Sequence, residues 1–206
     1  MTSSNSNKET LSAKLLARLG QEGVTDLYLL SSDGVRVPAF RAVLACRSDV
    51  FYGMLCGEFK EAAAEQVNLD YTGETLRAVV EFCITDVVKR FDGRQDEATA
   101  RSLVDLFACA HFLQMPLLQE KARVLLESLM ESKKSLACAA FDEALLCGEA
   151  TESVKLVAFN VIRTFPETSL LSKPGILSLG TEALTEIISD ENVACEEITI
   201  FRALDQ

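Results

Sequence analysis

Leucines at positions 11, 15 and 19 recur at i, i+4 and i+8, which predicts a short helix with one apolar stripe, opened after Thr10 and ended by Gly20. A stripe this narrow needs a partner, either the sheet that follows or a second subunit. In DLYLLSSDGVRVPAF the period changes to two: Leu27 and Leu29 alternate with less apolar neighbours, and Asp33-Gly34 supplies a hairpin turn. Val35 and Val37 resume the alternation, and Pro38 is expected to end the second strand. Val43, Leu44 and Phe51 mark helical sequence interrupted by Ser48-Asp49, which reads as an N-cap and so predicts two short helices. Val67 and Leu69 make a third short strand, after which Thr72 caps a helix carrying Leu76, Val79, Val80 and Cys83 on one face.

Past the polar loop 89–97 the strand signal does not return. Leu103, Leu106, Phe107, Ala110 and Leu113 belong to one helix, broken at Met115-Pro116, and Ala122, Leu125, Leu126 and Leu129 belong to the next. From Ser135 three apolar faces are expected. Leu136, Ala140, Ala144 and Cys147 form the first; Val154, Val157, Ala158, Val161 and Ile162 the second; Leu184, Ile187 and Ile188 the third. Phe165-Pro166 and Lys173-Pro174-Gly175 separate these pieces. The fold class is α+β over residues 10–130, followed by an all-α extension over 131–206; residues 1–9, small and polar, read as a disordered tail.

Charge sharpens this division. The chain carries 20 basic and 31 acidic residues, net −11, and residues 131–206 hold 6 of the basic and 13 of the acidic groups. Such a surface repels phosphate backbones, which argues against direct nucleic-acid binding and against anionic membranes. The seven cysteines contain no C-x-x-C pair and the chain has one histidine, so no structural zinc is expected. The opening MTSSNSNKET lacks the apolar core of a secretory signal, so the expected setting is cytoplasm or nucleus, with reduced, mostly buried thiols.

Catalytic patterns are missing from the sequence. Neither a glycine-rich phosphate loop nor G-x-S-x-G occurs, and no cofactor is expected. His111, the one histidine available to activate a cysteine, lies among Phe107, Ala110 and Phe112 and is expected to be half-buried and structural. Glu58 and Glu61 form no evident acid pair in an apolar cleft, and Glu196-Glu197 suit a helix N-terminus. The expectation is a protein that is not an enzyme.

The stretch Thr25 to Leu126 resembles the BTB/POZ domain. The resemblance rests on Asp26-Leu27-Tyr28-Leu29, then on Ala39-Phe40-Arg41-Ala42-Val43-Leu44-Ala45 continuing to Ser48-Asp49-Val50-Phe51, where Phe40 replaces the family's histidine. It continues through Gly57-Glu58-Phe59-Lys60-Glu61, Val67-Asn68-Leu69 and Ala108-Cys109-Ala110-His111-Phe112-Leu113. Tyr71-Thr72-Gly73 mimics a family signature that belongs at the end of the following helix, where Ile84-Thr85-Asp86 stands instead. Residues 131–206 look like the start of a BACK domain and are expected to be a truncated version of it; a Kelch propeller or MATH domain is missing from the 206 residues.

The resemblance implies a homodimer in which Leu11, Leu15 and Leu19 cross a two-fold axis, worth about 5–9 kcal/mol per subunit if all three are fully buried. It also implies that Asp26 and Arg41 pair near that interface; the plain alternative is a surface ion pair worth about 0–1 kcal/mol. In members that serve cullin-3 ubiquitin ligases, a hydrophobic-x-Glu step docks the scaffold, and Phe59-Lys60-Glu61 fits it. The implied function is an adaptor bringing an unidentified substrate protein to cullin-3. A dimeric scaffold or transcriptional co-regulator that engages no ligase is the competing implication.

Overall fold

The computed structural model describes residues 10–57 and 60–190, and the chain forms two compact units that divide between Lys89 and Arg90. That division falls at the polar loop 89–97, which the sequence places inside its 10–130 unit, and not at residue 130. The tail 1–9, Glu58, Phe59, Cys195 and Glu196-Glu197 lie outside the described residues.

In the first unit α1 (Leu11–Arg18) begins where Thr10 Oγ1 accepts the Ala13 N–H at 3.2 Å, and the chain turns at Gly20 with φ 87°. Strands β1 (Leu27–Leu30) and β2 (Arg36–Ala39) pair antiparallel, Leu27 opposite Ala39 and Leu29 opposite Val37, so the expected alternating positions share the buried face. Strand β3 (Gln66–Asn68) runs parallel to β1 on its other side, giving the order β2-β1-β3.

Pro38 does not end β2; it lies inside it, opposite Tyr28. Tyr28 N–H donates to Glu65 O at 2.9 Å, toward β3, so the backbone polar groups of Tyr28 face away from Pro38. At this edge-strand position the missing proline N–H leaves no ladder bond unmade.

Helices α2 (Arg41–Arg47) and α3 (Asp49–Cys56) are the two expected short helices, split by Ser48, whose Oγ accepts the Phe51 N–H at 3.1 Å. Helix α4 (Gly73–Thr85) packs against α1, α2 and β2. Its N-terminus is tied to the hairpin: Asp33 Oδ1 accepts the Gly73 N–H at 3.0 Å, and Ser32 N–H donates to Tyr71 O at 2.9 Å. A hydrogen bond from Ser31 Oγ, with the Gly73 N–H, holds the Asp33 carboxyl below its usual range. A Cβ on Gly73 would approach Val35 Cβ to 2.7 Å, so the glycine of the misplaced Tyr-Thr-Gly triplet is a packing requirement.

The end of α4 explains the Ile84-Thr85-Asp86 slot. Asp86 is the C-cap, at φ 61° and ψ 13°, a left-handed conformation that glycine adopts without strain. Arg47 holds it: Nη1 lies 2.8 Å from Oδ1, Nη2 donates to Oδ2 at 2.9 Å, and Nε donates to Cys83 O at 2.8 Å. Replacing Asp86 by alanine keeps the left-handed strain and loses the ion pair, for an expected cost of about 1–2 kcal/mol. Asp86→Gly loses the pair but relieves the strain, and is expected within about 0.5 kcal/mol of wild type. Urea unfolding followed by circular dichroism measures both; equal losses in the two variants would remove the strain from this account.

The second unit is helical among its described residues. Helix α5 (Glu97–Phe112) is capped by Asp96, whose carboxyl the Thr99 backbone N–H and hydroxyl hold below the usual range. It packs on α6 (Pro116–Ser132) and α7 (Leu136–Cys147), and α7 packs on α8 (Glu152–Thr164). Phe141 and Phe159 stack across α7 and α8 with centroids 5.4 Å apart. Every residue from Leu136 to Phe141 is buried, so α7 begins as a central helix rather than presenting the single face expected.

Two other expectations change here. Lys173-Pro174-Gly175 is not a separator but the first turn of α9 (Lys173–Leu177), where proline suits a position with no intrahelical N–H bond to lose. Gly175 is required there, because a Cβ would come within 1.8 Å of Ser169 O. In α10 (Thr181–Ile188) Ala183 and Ile187 are buried while Ile188 is exposed, so the apolar face is rotated by one position from the expected one.

An ionic hub ties these helices together. Arg101 of α5 places Nη1 2.7 Å from Asp142 Oδ2 and 3.2 Å from Glu143 Oε2, both on α7, and donates from Nη2 to Ser178 O at 2.6 Å. Asp142 Oδ1 accepts the Gly180 N–H at 2.7 Å, which fixes the start of α10.

Candidate interaction surface

Helix α1 has no fully buried residue: Leu11 is 73% exposed, Leu16 is 37% exposed, and Leu15 and Leu19 are half-buried where the helix leans on α4. Leu19 is the C-cap, extended rather than helical. The stripe read from the sequence therefore leaves much of its apolar area in solvent within this chain.

Asp26 and Arg41 do meet, but not as an ion pair. Asp26 Oδ1 accepts the backbone N–H of Arg41 at 2.9 Å, capping the start of α2. The guanidinium turns the other way and donates to four backbone carbonyls. Nη1 reaches Leu55 O at 3.2 Å, Glu61 O at 3.3 Å and Ala62 O at 3.1 Å, and Nη2 reaches Ala64 O at 2.5 Å. The physical reason is local: these carbonyls, at the end of α3 and in the turn before β3, need donors, and five N–H groups on a planar head supply them.

Glu61 is half-buried in a single 3₁₀ turn, Lys60–Ala62, and its carbonyl also accepts the Ala64 N–H at 3.2 Å. The turn packs against α3, on which Tyr52 is 61% exposed. Phe59, the other half of the expected docking step, lies outside the described residues. Tyr52 is missing from the residues singled out in the sequence, although its place next to the buried Phe51, about 100° round a short helix, turns it off the buried face.

The remaining chemistry-bearing residues are dispersed. His111 is exposed near the end of α5, not half-buried; beside it Phe112 is exposed too, while Phe107 and Ala110 are buried. Cys46 and Cys56 are exposed, while Cys83, Cys109 and Cys138 are buried and Cys147 is half-buried, so four of the six described thiols are at least half-buried. Burial pushes the thiols of Cys83, Cys138 and Cys147 up to about 12, which keeps them protonated at neutral pH. Among the described residues no group of His, Cys, Asp and Glu is placed to hold a metal ion, and no helix is long and apolar enough to cross a membrane. A cleft of about 180 Å³ lies in the second unit between the 91–95 loop and α5 and α6, floored by Leu103, Leu125 and Leu129.

Known proteins share this pattern. The family model for the BTB/POZ domain matches residues 17–129. Kelch-like protein 38 of Danio rerio is 24% identical over 200 residues, 95% of this chain and 32% of the relative. Kelch-like protein 2 of Mus musculus is 25% identical over 189 residues, 89% of this chain and 29% of its own. BTB/POZ domain-containing protein 9 of Homo sapiens is 28% identical over 171 residues, 82% of this chain and 26% of its own. The chain thus spans between a quarter and a third of the length of these curated relatives.

Proposed function

Because the chain belongs to the BTB/POZ family, we propose that it is a homodimeric interaction protein that brings a substrate protein to a cullin-3 ubiquitin ligase. In this reading residues 10–130 form the BTB core, and residues 131–206 form a BACK-like helical extension that widens the scaffold contact. The protein has no catalytic group of its own and works in the cytoplasm or nucleus.

The observation that carries the reading is the extent of the likeness to Kelch-like proteins. It continues over 189–200 residues, past residue 129 where the domain match ends, so the helical segment after that point shares in it. The exposed Leu11 and half-buried Leu15 of α1 support the dimer, and the turn that holds Glu61 against α3 supports a docking role for Glu61.

Co-purification with a cullin-3 N-terminal fragment, followed by size-exclusion chromatography with light scattering, reports both partner and stoichiometry. Phe59→Ala and Glu61→Lys are each expected to weaken that complex at least tenfold, as loss of an anchoring side chain typically does, while leaving the circular dichroism spectrum unchanged. A double variant that binds as tightly as wild type would exclude this docking step, and a wild-type chain that does not bind would exclude the ligase role.

A further inference from the structure

We infer that Arg41 is a positioning residue for scaffold docking: it touches no partner, but its guanidinium sets the backbone that presents Glu61. The inference rests on the adaptor reading and assigns Arg41 a different role from the ion pair expected at the dimer interface.

The geometry is a clamp. One side chain on the first turn of α2 reaches the carbonyls of Leu55, at the end of α3, and of Glu61, Ala62 and Ala64, before β3. Among the described residues between α3 and β3 the regular structure is one 3₁₀ turn, Lys60–Ala62. Short turns of this kind are weakly stable alone, so the angle at which Glu61 leaves the surface depends on the donors that gather its neighbours. The clamp is itself anchored. Asp26 Oδ1 accepts the Arg41 backbone N–H at 2.9 Å, and Asp26 immediately precedes Leu27 of β1, so the first turn of α2, which carries Arg41, is tied to the sheet.

Lysine cannot replace this function. Its ammonium is a point donor on a flexible stem, whereas the guanidinium donates from two nitrogens held in one plane. Arg41→Lys therefore keeps the charge and loses the fork, which separates positioning from electrostatic attraction of a partner.

The test uses the full chain and three measurements on wild type, Arg41→Lys and Arg41→Gln. Hydrogen exchange of the amides of residues 61–66 is expected to accelerate at least tenfold in both variants, with α5–α8 protection unchanged. Affinity for the cullin-3 N-terminal fragment is expected to fall about tenfold in both, and light scattering is expected to give the wild-type mass in both. Unchanged exchange would refute the clamp. Accelerated exchange with unchanged cullin affinity would refute the positioning role, as would a lysine variant that matches wild type in both. Loss of the dimer instead would return Arg41 to the two-fold interface. If the wild-type chain itself fails to bind the fragment, the adaptor reading fails and the docking role of Arg41 falls with it, while the exchange result still decides the clamp.

Discussion

Leu11→Asp combined with Leu15→Ser is expected to halve the mass in solution, from twice the 22.5 kDa of the chain to once that value, by light scattering. The reason is the uneven burial of the stripe. Full burial of three leucines would be worth about 5–9 kcal/mol per subunit, but Leu15 and Leu19 already lean on α4 and have surrendered part of that gain. Leu11, 73% exposed, has almost all of it still to make. Summed over the stripe, about 3–5 kcal/mol per subunit remains for a second copy, and a carboxylate at position 11 both removes the largest share and places charge in the contact. The exposure of Leu11 also makes Leu11→Asp alone a safe control, since it removes little that the isolated chain has buried. A wild-type chain that runs as a monomer, or a double variant that stays dimeric at micromolar concentration, would exclude this stripe as the interface.

In the second unit the largest single effect is expected at Arg101. Arg101→Met leaves Asp142, 13% exposed, and Glu143, 23% exposed, as neighbouring carboxylates without their shared cation, and leaves Ser178 O without its donor. Breaking a fully buried pair of this kind costs about 3–5 kcal/mol. Arg101 itself is 31% exposed, so solvent screens part of the loss and about 2–3 kcal/mol is the expected destabilisation. Asp142→Asn is expected to cost less, about 1 kcal/mol, because the amide oxygen can still accept the Gly180 N–H. The chain has no tryptophan, so urea unfolding is best followed by circular dichroism. A loss under about 0.5 kcal/mol in Arg101→Met would mean the hub is solvated and contributes like an ordinary surface pair.

The contrast between these two sites shows what was legible in the chain. The leucine stripe is a local pattern with helical spacing, and much of that spacing survives folding: Thr10 caps α1, which carries Leu11 and Leu15. Of that stripe Leu11 and Leu15 stay on one helical face, while Leu19 falls at the extended C-cap; likewise Ser48 divides α2 from α3, and Thr72 starts α4, as expected from caps that satisfy N–H groups within their own turn. Arg101, Asp142 and Ser178 are separated by 41 and 36 positions, and no spacing rule links them.

The differences between expectation and structure follow the same line. The local rule counts only the missing N–H of Pro38 and so ends the strand there; which side of β2 faces a neighbour is a property of the sheet. Ile188 was placed inward by periodicity, yet Ala183 and Ile187 occupy the buried face because α10 starts where Asp142 holds Gly180. The resemblance implies a pair between Asp26 and Arg41, and no matched residue shows that four carbonyls compete for the guanidinium.

By itself, then, the sequence determined the elements, their caps, the α+β class and the BTB/POZ resemblance, since each depends on hydrogen bonds and apolar spacing within a few residues. Only the tertiary structure decided that β3 joins β1 in parallel, that Asp86 takes the left-handed cap with Arg47 holding it, and that Arg41 gathers the turn carrying Glu61. Those contacts bring together groups that are remote along the chain. Their partners are chosen by which unsatisfied carbonyl or carboxylate the packed elements leave within about 3 Å of a donor.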